Sequence, residues 1–163
     1  MSKHTFHIDE EADLQVVVDF LLSQFEVPFI LLLDGELGAG KTSFVKRLAE
    51  CVGSTERVNS PTFAKVHEYS FPRGVIYHLD LYRQLPDPAS FEEILLDSQS
   101  IICIEWACRL MEDVSLLSFL QAVGRPVLQL TLTFNQGAKT QDFPNKNTGR
   151  QIELFVKEFE RFM

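Results

Sequence analysis

The stretch GELGAGKT, residues 35–42, constrains this chain more than any other. It fills every fixed position of the pattern G-x-x-x-x-G-K-S/T. The glycines let the backbone curl through positive φ, so that successive N–H groups point inward at one anion. A helix beginning at the loop adds the positive end of its dipole. On this reading Glu36, Leu37, Gly38, Ala39, Gly40, Lys41, Thr42 and Ser43 surround the phosphates of a nucleotide. Lys41 brings a point charge to the β- and γ-phosphates, and Thr42 brings a hydroxyl to a Mg²⁺ that bridges them. The flanks agree with the motif. FILLLD (29–34) is an apolar run of the length of a buried parallel strand. KTSFVKRLAECV (41–52) carries Phe44, Val45, Leu48, Ala49 and Val52 at helical spacing.

The whole chain bounds what such a loop can serve. Its 163 residues read as one domain, 1–163, large enough to bury a core without staples. No apolar run approaches a membrane span, and MSKHTFHIDEEADL lacks the apolar centre of a signal peptide. Cys51, Cys103 and Cys108 form neither a disulfide framework nor a CxxC pair, which points to reduced thiols in the cytoplasm. The net charge of −8 argues against direct, tight binding of RNA or DNA, because phosphate contacts leave a basic footprint. The longest basic cluster is Lys46-Arg47, beside the loop itself.

Around the loop, the spacing predicts a short strand at TFHI (5–8) and a helix over 9–25 with a stripe of Leu14, Val17, Val18, Leu21 and Leu22. VNSPTF (58–63) is a loop broken by Pro61. AKVHEYSF (64–71) and VIYHLDLY (75–82) flank PRG as a hairpin. ASFEEILL (89–96) is a short helix, IICIE (101–105) a second buried strand, and PVLQLTLTF (126–134) an alternating strand with one wetter face. Residues 136–149 belong to a polar loop. The last stretch, 150–163, supports two readings: Ile152, Leu154 and Val156 alternate as in a strand, while Phe155, Phe159 and Phe162 suit a helix.

Hydrolysis needs more than a loop: a partner for the metal and a positioned water. Two acids end apolar strands, Asp80 of VIYHLD and Glu105 of IICIE. The carboxyl ends of parallel strands face the ligand crevice, so either acid can sit opposite Thr42 and hold Mg²⁺, directly or through water. Each also reads as a capping or ion-paired carboxylate, and for Asp80 taken alone that is the better reading. Thr62, in SPTF, stands where a switch loop would sense the γ-phosphate; a plain turn is the alternative. Arg83 is a candidate for neutralising phosphate charge, or a surface partner of Glu92 or Glu93. His78 reads as a structural histidine, and Trp106 either covers an adenine or fills core.

Four segments in this order, GELGAGKTSF, SPTF, HLDLYR and IEW, resemble one family, the bacterial TsaE (YjeE) proteins. The likeness covers Gly35 to Trp106. It implies an α/β fold, a three-layer P-loop NTPase architecture with a mixed, mostly parallel sheet. It implies an ATP- and Mg²⁺-dependent ATPase required for threonylcarbamoyl modification of the tRNA adenosine beside the anticodon. TsaB and TsaD are the implied protein partners, and tRNA is met only through them. By this analogy the loop with Lys41 cradles phosphate, and Thr42 and Glu105 take the metal side. Asp80 orients the attacking water, with the roles of the two acids open to exchange, and Thr62 senses the nucleotide state. The chain departs from the family pattern where FEEILLDSQS lacks a closing glycine and where Ala107 replaces a proline.

Three other functions of phosphate-loop proteins fit the sequence less well. A small-molecule or nucleotide kinase of this fold normally adds an arginine-bearing lid, and no such cluster stands out. A GTPase needs Asn-Lys-x-Asp, and NKNT (145–148) lacks the Asp. A module that senses nucleotide without hydrolysis would not need Lys41, Thr42, Asp80 and Glu105 together.

Overall fold

The computed structural model describes residues 2–61, 66–134 and 150–157. Seven strands form one sheet: β1 (Ser2–Ile8), β2 (Ile30–Gly35), β3 (Val66–Phe71), β4 (Gly74–Asp80), β5 (Ile101–Glu105), β6 (Val127–Phe134) and β7 (Arg150–Lys157). Their order is β1-β7-β6-β2-β5-β4-β3. The central strands β6, β2, β5 and β4 run parallel, while β3, β7 and β1 add antiparallel pairs at the two sides. The sheet is therefore mixed and parallel at its centre, as the resemblance implies.

Alternation along the strands divides the core into two. Leu31, Leu33, Ile76, Ile101 and Cys103 face helices α1 (Leu14–Gln24) and α2 (Lys41–Val52). Ile30, Leu32, Leu79, Ile102 and Ile104 face α3 (Pro88–Leu96) and α4 (Val114–Ala122). Strands apolar on both faces are what a sheet sandwiched between helices requires. Phe44 and Leu48 of α2 are fully buried, each worth about 1.5–3 kcal/mol of apolar burial. They hold the helix, and with it the loop at its start, against the sheet.

The helix expected over 9–25 begins instead with a 3-10 turn, Glu11–Asp13. The Asp13 carboxylate accepts the backbone N–H groups of Asp9 and Glu10, so this acid caps the turn that leads into α1. The hairpin falls at β3 and β4, and the wetter face of β6 carries Gln129, Thr131 and Thr133. The two readings of the last stretch resolve to a strand over Arg150–Lys157, set between β1 and β6. The polar loop 136–149 and residues 158–163 lie outside the described residues. A second 3-10 turn, Ala107–Glu112, and α4 have no counterpart in the sequence reading. The Asp113 carboxylate caps α4 by accepting from the N–H groups of Ser115 and Leu116.

At the exit of β2 the backbone leaves no room for a side chain. Gly35 has φ of +150°, and a Cβ there would stand 2.5 Å from the carbonyl oxygen of Leu132 in the paired strand β6. Both atoms are fixed by the sheet. Gly35→Ala is expected to cost about 2 kcal/mol or more of stability, read from the midpoint of urea unfolding. A midpoint equal to wild type would show that β6 can draw aside.

Candidate functional site

Register places the acids. Within the parallel strands, Glu105 lies opposite Leu33 of β2 on one side and Asp80 of β4 on the other. Both acids therefore reach the sheet edge from which the loop 35–40 departs. Gly40 stands before the first turn of α2 with φ of 107°, a conformation that suits glycine and turns the chain into the helix. Lys41 and Thr42 then open α2 beside the strand ends.

Lys41 is buried, and its Nζ donates to the carbonyls of Gly35 at 2.7 Å and Glu36 at 3.0 Å. It also stands 4.3 Å above the ring of Trp106. Burial pushes the ammonium below its ordinary pKa, and the carboxylates of Glu105, Asp80 and Asp34 oppose that shift. Thr42 donates its hydroxyl to Glu105 Oε1 at 2.7 Å. The same oxygen meets His78 Nε2 at 2.8 Å. Asp80 Oδ1 accepts the N–H of Tyr82 at 2.9 Å, which shapes the turn after β4.

Lys41, Thr42, Asp80, Glu105 and Trp106 line one cavity of about 400 Å³, and His78 lies buried behind it. Among the sequence-derived candidates, Leu37, Gly38, Gly40, Lys41, Thr42, Ser43, Asp80, Glu105 and Trp106 border it. Glu36 takes part through its carbonyl, while Ala39 is packed into the core. Arg83 borders the cavity with Ser60 and Tyr82. Thr62 lies outside the described residues. The segment that leads to it is tethered: Asn59 gives its N–H to Tyr69 Oη at 3.2 Å and takes the Tyr69 hydroxyl on its carbonyl at 3.0 Å.

Two participants, Asp34 and Arg109, have no counterpart in the sequence reading. Asp34 Oδ1 accepts the N–H of Cys108 at 2.8 Å and joins the loop to the 3-10 turn after β5. Arg109 donates to the carbonyls of Leu81 and Tyr82, and so braces the segment before Arg83. His78, a structural histidine on the sequence reading, is buried and bonded to Glu105. Strand parity carries that last signal, because His78, Asp80 and Glu105 share the face that looks toward α2.

The family model described as Threonylcarbamoyl adenosine biosynthesis protein TsaE matches residues 8–139. The chain belongs to the TsaE family. It is 40% identical over 89 residues to the tRNA threonylcarbamoyladenosine biosynthesis protein TsaE of Bacillus subtilis, a match covering 52% of this chain and 54% of that protein. It thus spans about half the length of that relative. The Nostoc protein of the same name is 35% identical over 111 residues, covering 64% of this chain and 68% of the relative. That of Aquifex aeolicus is 36% identical over 101 residues, covering 61% and 73%. The crystal structure of Bacillus subtilis YdiB has the same fold, with a TM-score of 0.65 at 24% identity over 95% of this chain and 86% of that one. Among the described residues, no helix is long and apolar enough to cross a membrane.

Proposed function

We infer that this TsaE-family chain binds and hydrolyses ATP with Mg²⁺. We further infer that it does so in the cytoplasm, in the service of threonylcarbamoyl modification of the tRNA adenosine beside the anticodon. The observation that carries this reading is the meeting of the phosphate loop, the Thr42–Glu105 bond and Asp80 at one cavity. The donor set fits the metal. Mg²⁺ takes hard oxygen ligands, commonly one or two carboxylates with waters and substrate phosphates, and does not need a full protein cage. A hydroxyl and two carboxylates supply that chemistry here.

Thr42, with Glu105 and Asp80, would hold the Mg²⁺, which would supply positive charge against the phosphates in the transition state. The chain's own groups have separate tasks. The amides of residues 38–42 and Lys41 hold phosphate oxygens. Thr42 presents its hydroxyl to the metal, with Glu105 fixing that hydroxyl's proton. Asp80, one oxygen committed to the turn, keeps its carboxylate at the cavity and orients the attacking water. Arg83 is placed to meet phosphate charge. Thr62 is assigned the sensing of the nucleotide state.

The partners in this reading are TsaB and TsaD, and the charge of −8 supports a protein partner that brings the tRNA. Phosphate release by the isolated chain is expected to be slow and to rise on addition of TsaB and TsaD. Equal rates with and without them would refute the partner's role, and no release in either case would refute the ATPase. Base choice is separable. Without an Asn-Lys-x-Asp acceptor, ATP is expected to displace a fluorescent ADP analogue at lower concentration than GTP. Equal potency of the two nucleotides would count against adenine selectivity.

A further inference from the structure

His78 is the one residue of the site whose presence the fold does not explain. Its side chain is fully buried on β4, across from Cys103 of β5 and His67 of β3, with the Tyr69 ring 6.1 Å away. Nε2 meets Glu105, yet Nδ1 has no hydrogen-bond partner among the described residues. A buried nitrogen without a partner opposes folding. An aliphatic side chain would fill the same place without that cost, so packing alone gives no reason for an imidazole. The reason lies at the other nitrogen. Glu105 Oε1 accepts from His78 Nε2 and from the Thr42 hydroxyl at once, while no donor among the described residues reaches Oε2. The carboxylate is thereby pinned from behind.

We propose that His78 is a positioning residue for the cation side of the ATP site, holding Glu105 so that Oε1 takes the Thr42 proton and turns the hydroxyl's lone pairs toward Mg²⁺. The proposal rests on the ATP-site reading above. The logic is that of outer partners around metal ligands, which orient the groups that touch the ion. With the imidazole gone, Glu105 can rotate, the Thr42 hydroxyl loses its fixed acceptor, and its lone pairs no longer point one way. Phosphate contacts from the loop amides and Lys41 do not involve His78 and stay in place.

The test separates nucleotide from metal. ATP affinity is measured by calorimetry, once with EDTA and once with saturating Mg²⁺, for wild type, His78→Leu and His78→Gln. Leucine fills the volume without a donor, whereas glutamine carries an amide N–H about as far out as Nε2. His78→Leu is expected to melt at or above the wild-type temperature and to bind metal-free ATP within about twofold of wild type. It should lose about tenfold of the tightening that Mg²⁺ brings. His78→Gln should recover most of that tightening. The proposal is overturned if His78→Leu keeps the full Mg²⁺ effect, if both affinities fall in parallel, or if His78→Gln is as poor as His78→Leu. Should the leucine variant not fold, His78→Asn against His78→Gln carries the same contrast, since the shorter amide stops short of Glu105. Wild-type protein that binds no ATP, or that gains nothing from Mg²⁺, overturns the ATP-site reading itself.

Discussion

Lys41→Ala is expected to weaken ATP binding by about a hundredfold or more while leaving the fold intact. The buried ammonium is held by the carbonyls of Gly35 and Glu36, with its charge against the Trp106 ring. Moving it onto phosphate exchanges neutral acceptors for charged ones. Each hydrogen bond to a charged group is worth about 1.5–3 kcal/mol, so two such bonds correspond to about two to four powers of ten. The free protein should tolerate the loss. A pKa lowered by burial means that the charged form is less favoured in the folded chain than in water, so deleting it removes a cost along with two hydrogen bonds. Trp106 is the chain's single tryptophan, and its emission provides a second readout. Nucleotide that draws Lys41 off the ring should change the fluorescence of wild type and leave that of Lys41→Ala unaltered. Wild-type affinity in the variant would mean that phosphate is held elsewhere.

Glu105→Gln is the second large effect, and it falls on turnover. The amide oxygen can still accept from His78 and Thr42, so the buried cluster stays satisfied. Glu105→Ala would leave both donors without their acceptor, at about 1–3 kcal/mol for each buried group. What the glutamine lacks is the negative charge beside the metal and the pull on the Thr42 proton. Phosphate release in the presence of TsaB and TsaD is expected to fall by about a hundredfold or more, with metal-free ATP affinity within about threefold of wild type. Wild-type turnover by this variant would shift the essential role to Asp80, the other carboxylate at the cavity.

The parts of this molecule written in local pattern were legible. The loop motif, its strand and its helix fall at Ile30–Gly35 and Lys41–Val52, within a residue of the apolar run and at the limits of the helical spacing. The hairpin was readable because a Pro and a Gly stand between two alternating runs. The strand 150–157 was legible only as one of two readings, since Phe155 interrupts its alternation and one of its pairing partners, β1, lies at the other end of the sequence. The 107–122 region escaped because its buried residues Leu110, Leu116 and Leu120 span a break at Asp113, which ends one turn and caps the next. At the site, the sequence could bring Asp80 and Glu105 to strand ends but could not choose between them. Sheet register and the position of α2 set the contact from Thr42 to Glu105. Parity along β4 would have shown that His78 shares its face with Asp80, a clue that a search for strand-ending acids passes over.

The placement of β7 bears on how the chain reaches this structure. In the sheet, β1 bonds only to β7, and β7 lies between β1 and β6. The strand β1 therefore has no place in the sheet until the segment 150–157 has been made and has paired with β6. The parallel centre that carries the phosphate loop needs neither strand for its own pairing and can assemble from residues 14–134. Closing the longest loops last is slow, because their entropy is lost before their contacts form. Until then β6 presents an open edge lined by buried-type leucines, which makes this seam the point of greatest exposure to wrong pairing during synthesis.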